Sequence, residues 1–245
     1  MKRILKFSAA FTAFISYAGY AIAQGTAPEG GDPTPLHQQL KIQFIDGGPP
    51  FMTPIILCLV LGLAFCIERI IYLNLATTNI NRLLTNVEEA LDTGGVEAAK
   101  DVCRNTKGPV ASIFYQGLDR YDEGLDLVEK SIVSYSSVQM GQLETNLSWI
   151  ALFIALAPSL GFLGTVIGMV QAFDDIQKAG TMSPSVVAGG MKVALITTVT
   201  GLIVAIILQI FYNYVVSKID SIVNSMEDST ISFVDILMKY NAKQK

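Results

Sequence analysis

Charge is what this sequence lacks most. Asp, Glu, Lys and Arg make up 16% of its 245 residues, against about 25% in an ordinary soluble domain. Past residue 46, three stretches of more than 20 residues hold none of them: Gly47 to Ile67, Thr145 to Phe173, and Val193 to Ser217. The net charge of −4, with no Lys/Arg-rich run, argues against nucleic acid as a partner. Three cysteines are too few and too far apart for a disulfide framework. Cys58 and Cys66 lie eight positions apart on one predicted helix, about 12 Å along its axis, beyond disulfide reach. Cys103 falls in a segment expected to face the cytosol, where thiols stay reduced. The single histidine, His37, has no nearby partner and reads as a solvated side chain. There is no Cys/His metal spacing, no G-x-x-x-x-G-K-[ST] loop, no G-x-S-x-G elbow and no buried acidic pair, so no enzyme activity, cofactor or metal is expected. Nor does any ionisable residue stand in the middle of an uncharged stretch, although proton and ion paths through membranes normally carry one.

What is there is hydrophobic: 51% of the residues, with a mean hydropathy of +0.46. A bilayer is crossed by a helix of ~20 apolar residues, and the uncharged stretches meet that length. The fold class that follows is an all-α integral membrane protein with three transmembrane helices and long cytoplasmic helical extensions. Residues 1–23 have Lys2, Arg3 and Lys6, an apolar run, and Ala21-Ile22-Ala23, the layout of a signal peptide, with an uncleaved first helix as the alternative. Residues 24–50, rich in Gly and Pro, read as a periplasmic arm with a short amphipathic patch around Leu36 to Phe44. The first transmembrane helix is expected over 51–73, with Thr53 as N-cap and Pro54 as first helical position. A cytoplasmic helical domain follows over 74–145. Ile80, Leu83, Leu84, Val87 and Leu91 repeat at helical spacing, Gly94-Gly95 and Gly108-Pro109 break the helices, and a long helix runs unbroken from Leu125 into the second span. That span covers 146–173. A short periplasmic loop, 174–190, contains the Ser183-Pro184 helix start, and the third span, 191–216, continues into a cytoplasmic helical tail, 217–245, as one rod. Orientation follows from bases: Arg69 to Lys130 and Lys218 to Lys245 hold eleven, against Lys41, Lys178 and Lys192 on the other side.

Two helix faces stand out. In the second span Gly161, Gly164 and Gly168 share a face bordered by Thr165, one turn after Pro158, which removes a ladder hydrogen bond and should bend the helix. In the third, Ala194, Thr198, Gly201 and Ala205 recur at i, i+4, i+7 and i+11, flanked by Thr197 and Thr200. Two small, hydroxyl-bearing faces mean either a close-packed seam or a narrow pore lined by weak hydrogen-bonding groups, and spacing leaves both open.

The run from Ala157 through Pro158, Gly161, Gly164 and Thr165 to Met169 resembles the second-span signature of the MotA/TolQ/ExbB proton-channel family. Ala194 to Leu202, with Tyr212-Asn213, resembles the third. The three-span plan is most similar to the ExbB branch, with TolQ close behind. The resemblance implies a homopentamer in the bacterial inner membrane, whose second and third spans line a pore. That pore would hold the single spans of ExbD-like subunits, each carrying the aspartate this chain lacks. Thr165 and Thr198 match the pore-facing threonines, and proton flow would pass work through a TonB-like protein to outer-membrane transport. A TolQ-like or gliding-type motor is the alternative within the family, and a non-conducting membrane scaffold the alternative outside it. The chain departs from the family pattern at Lys192-Val193, where some members have an acid, and at Ile207, where proline is common.

Overall fold

The structure, a computed structural model, describes residues 36–180 and 184–244. The expected signal peptide and Ser183 lie outside these. The chain divides into two units, Met1–Asp46 and Gly47–Lys245. In the first, helix α1 spans Leu36–Asp46 and takes in the expected amphipathic patch.

The second unit is all helix among its described residues: α2 (Pro49–Ala76), α3 (Ile80–Asn105), α4 (Pro109–Asp119), a single 3₁₀ turn (Tyr121–Glu123), α5 (Leu125–Leu143), α6 (Leu147–Ala179) and α7 (Pro184–Gln244). Three helical stretches, containing α2, α6 and α7, are long and apolar enough to cross a membrane. At about 1.5 Å per residue, α7 is a rod of about 90 Å, as expected from its unbroken period over 61 residues.

Two expectations need correction. Helix α2 begins at Pro49, not at Thr53-Pro54. Pro49 and Pro50 take the first two helical positions, where a missing N–H costs nothing, behind Gly48 at φ 77°. The Thr53 hydroxyl donates to the Pro49 carbonyl (2.6 Å) and caps nothing, while Pro54 sits inside the helix. Second, the long helix from Leu125 is broken. Residues 144–146 turn between α5 and α6, and Asn146 takes the left-handed conformation (φ 64°) that Asn tolerates better than most side chains. Its amide donates to Glu68 Oε2 across to α2 (3.4 Å), which helps hold the turn. Hydrophobic patterning is blind to a one-residue reversal that keeps both flanking helices apolar.

The glycine breaks appear where the sequence places them. Gly95 (φ 73°, ψ −162°) kinks α3, and Gly108 (φ 126°) precedes α4 with Pro109 at its start. The core has two parts. One joins α2, α6 and α7 through Ile55, Cys58, Cys66, Ile150, Phe153, Ala157, Val204 and Leu208. The other joins α3, α4 and α5 to the far half of α7, around Phe114 stacked on Phe233 (centroids 4.2 Å). The second gains from removing apolar area from water. The first lies where lipid is as apolar as leucine, so packing alone decides its geometry.

Candidate functional site

Helices α6 and α7 run antiparallel, joined after Gly180, whose φ of 68° closes α6. Their small faces meet. A methyl added at Gly161 would lie 2.8 Å from the Thr197 carbonyl oxygen, one at Gly164 2.7 Å from Thr197 Oγ1, and one at Gly201 2.5 Å from the Ala157 carbonyl oxygen. Gly168 faces Gly190 and Ala194 at 3.3–3.4 Å. Real Cβ atoms almost never approach below 3.0 Å, so at Gly161 and Gly201 the backbones come closer than any side chain would allow, and at Gly164 the Thr197 side chain takes the space a Cβ would need. Ala194 and Gly201 are buried with these glycines, and Ala205 is half-buried. Pro158, also half-buried, lies within the continuous α6 and leaves the Ile154 carbonyl without its amide donor.

Thr165 and Thr198 come together at the centre of this seam. Their hydroxyls hydrogen-bond each other. Around the pair stand two carbonyls, one from each helix: Ala194 O, 3.0 Å from Thr165 Oγ1 and 3.2 Å from Thr198 Oγ1, and Gly161 O, 3.3 Å from each. A threonine hydroxyl has one proton and two lone pairs. One threonine therefore donates to the other, which donates to a carbonyl, and the order reverses when both hydroxyls rotate. Both side chains are half-buried, so an acceptor reaching the open side can take one of the two protons.

Thr197, read from the sequence only as a flanking residue, is the fully buried one at 0% exposure. Its hydroxyl donates back to Ala194 O (2.9 Å) or Val193 O (3.1 Å), and its side chain fills the notch above Gly164. Its place three residues after Ala194 put it on the small face. Thr200 bonds to its own helix at Ile196 O (2.8 Å). Further along α7, the Gln209 amide donates to Asn213 Oδ1 (3.2 Å), an exposed polar pair in the uncharged stretch that sequence spacing did not single out. Gln209 lies eleven residues after Thr198 and so on nearly the same face.

A charge-free seam of this kind, with paired hydroxyls and no ionisable group of its own, between two helices long and apolar enough to cross a membrane, defines a helical membrane protein. Comparison with known proteins gives the family. The model of the MotA/TolQ/ExbB proton channel family matches residues 105–228, the segment that runs from α4 through α6 into α7 and holds both small faces and both threonines. The chain belongs to that family. It is 30% identical over 167 residues to an ExbB homolog of Methanothermobacter thermautotrophicus, described as a biopolymer transport protein, covering 68% of this chain and 59% of that one. It is 35% identical over 107 residues to the biopolymer transport protein ExbB of Aquifex aeolicus (42% and 69%). It is 25% identical over 190 residues to that of Neisseria meningitidis (71% and 86%).

Proposed function

We propose that this chain is the channel and stator subunit of a bacterial inner-membrane motor driven by the proton motive force. The observation that carries the reading is the Thr165–Thr198 pair, two hydroxyls with interchangeable donor roles in a bilayer seam that has no carboxylate. Transfer of a proton needs a group that ionises, and the pair supplies only a place to receive one. The missing group comes from an ExbD-like one-span partner whose aspartate enters a pore lined by α6 and α7 of a homopentamer. When ionised, that carboxylate accepts from whichever threonine turns its proton outward. When protonated, it donates to a threonine oxygen, so the seam holds both states without a buried charge of its own. One charge crossing 100 mV releases ~2.3 kcal/mol, so a few protons suffice to turn or displace the partner. Through a TonB-like protein that motion energises outer-membrane transport. The helical domain and tail, which hold most of the chain's lysines and arginines, face the cytoplasm by the positive-inside bias.

The test is proton flux into proteoliposomes holding the chain and its carboxylate-bearing partner. Thr165→Val with Thr198→Val should abolish flux while leaving assembly and partner binding intact. Normal flux from an assembled double variant would show that the pair is not on the path. The scaffold reading has one observation in its favour, that both hydroxyls already find partners within one chain. It predicts that no condition, with or without partner, yields flux above protein-free vesicles.

A further inference from the structure

Between α4 and α5, on the side turned away from the core, lies an open groove of about 310 Å³ whose walls include Arg120, Leu127, Lys130, Ser134 and Val138. Leu127 and Val138 are 44% and 52% exposed, and both charged residues of the lining are bases. Arg120 makes a 3.5 Å ion pair with Glu123, each about half exposed, and Lys130 makes none among the described residues. Helix α7 carries a strip that matches the groove in chemistry. Ile231, Asp235 and Met238 stand at i, i+4 and i+7 on one face, and all three are exposed, Ile231 at 65%. Asp235 has no hydrogen bond or ion pair among the described residues. Ile231 lies thirteen residues past Lys218, about 20 Å along the rod beyond the charge-free stretch, too far for hydrocarbon to cover it.

Heights decide what can meet what. A methyl on Gly117 of α4 would stand 2.9–3.0 Å from Ile132 of α5 and Phe233 of α7, so these three residues share a level. Helix α5 runs towards its membrane stretch and α7 away from its own. Stepping outwards from that level therefore brings Lys130 to the height of Asp235 and Leu127 to that of Met238, and stepping inwards brings Ser134 to the height of Ile231. Helix α4 starts against Ala76 and Thr78 at the end of α2 and runs outwards, so Arg120, three residues past Gly117, also stands near Asp235 in height. One chain cannot close these pairs on itself. Lys130 and Ser134 lie two residues either side of Ile132, and Ile231 and Asp235 two either side of Phe233, about 200° round each helix from the core those two residues share. A second copy can, because copies related by rotation about the bilayer normal keep every residue at its height. We infer that the Ile231–Asp235–Met238 strip of one copy seats in the α4–α5 groove of the next, with Asp235 between Arg120 and Lys130 and Met238 on Leu127. Two different surfaces meet, so the contact repeats from copy to copy and closes a ring. The inference rests on the oligomeric stator and assigns the surfaces that join its parts outside the membrane.

Disulfide trapping in membranes holding the full chain alone tests this. The native thiols Cys58, Cys66 and Cys103 are all buried, so they add little background. Ile231→Cys combined with Ser134→Cys should, on mild oxidation, give a ladder of more than two linked chains, and neither single variant should. Charge reversal is an independent arm: Lys130→Asp or Asp235→Lys, added to that pair, should each lower the ladder yield about threefold, the weight of one exposed ion pair, and the two together should restore it. If a cysteine variant fails to fold, Leu127→Cys with Met238→Cys, at the next matched height, is held to the same outcomes. The contact is overturned by a disulfide that forms within one chain, by dimers from Ile231→Cys alone, which would mean that like faces meet, by a folded double variant that gives no ladder, or by charge reversal that leaves the yield unchanged. No proton enters this readout. A ladder without flux in the proteoliposome assay strikes the channel function and leaves the contact, and flux without a ladder does the reverse.

Discussion

Replacing Gly201 by alanine puts the geometry of the α6–α7 seam to its most direct test. The new methyl would stand 2.5 Å from the Ala157 carbonyl oxygen and 3.3 Å from Gly161 Cα, whereas ordinary contact begins at 3.4 Å. Both obstacles are backbone, so no side chain can swing away and the helices must part by about 0.9 Å at that level. A gap of that size forfeits a quarter to a half of the dispersion energy of each atom pair across the seam, and overpacking of this kind costs about 1–3 kcal/mol. Against it stands the gain of up to about 1 kcal/mol from alanine over glycine in a helix. Gly141, an exposed glycine in the last turn of α5 with nothing within 4 Å of its would-be methyl, isolates that gain. Reversible unfolding in mixed micelles should therefore find Gly201→Ala less stable than Gly141→Ala by about 1–3 kcal/mol. Gly201→Ala should also uncouple the two threonines, which contact each other across the same gap. If the two alanine variants unfold alike, the close approach of the backbones is wrong and with it the basis for pairing Thr165 with Thr198.

Three further outcomes follow from other parts of the chain. In a double-mutant cycle with valine, Thr165 and Thr198 should couple by about 0.6 kcal/mol and no more than about 1.7, the range seen for hydrogen bonds between membrane helices; zero coupling in the unfolding assay would separate them. Gly95→Ala forces a side chain into a backbone conformation (φ 73°, ψ −162°) that is almost exclusively glycine's, and should cost about 1–3 kcal/mol, whereas Asn146→Gly, at φ 64°, should be tolerated because glycine adopts that conformation freely. Burial pushes the Cys103 thiol from 9.0 up to about 12. A folded-state value above the unfolded one means that the thiol's contribution is fully present below pH 9 and is lost as pH rises towards 12. Between pH 8 and 10.5 the wild type should lose about 2 kcal/mol more unfolding free energy than Cys103→Ala, and equal losses would contradict the burial.

Much of this molecule is written in one dimension. Runs without charge announce helices able to cross a bilayer, because an ionised side chain in hydrocarbon is too costly to be placed there by chance. Glycines at i, i+3 and i+7 mark a face, because helical periodicity is a local property. Gly95 and Gly108 were legible as breaks for the same reason, since positive φ excludes most other residues. What spacing could not say is what each face meets. Gly164 against Thr197, Gly201 against the Ala157 carbonyl, and the reciprocal sharing of Gly161 O and Ala194 O by two hydroxyls depend on the relative height of two antiparallel helices, which is set by how their surfaces interlock. The start of α2 at Pro49 and the turn at Asn146 were likewise missed, since both leave the hydrophobic pattern unchanged.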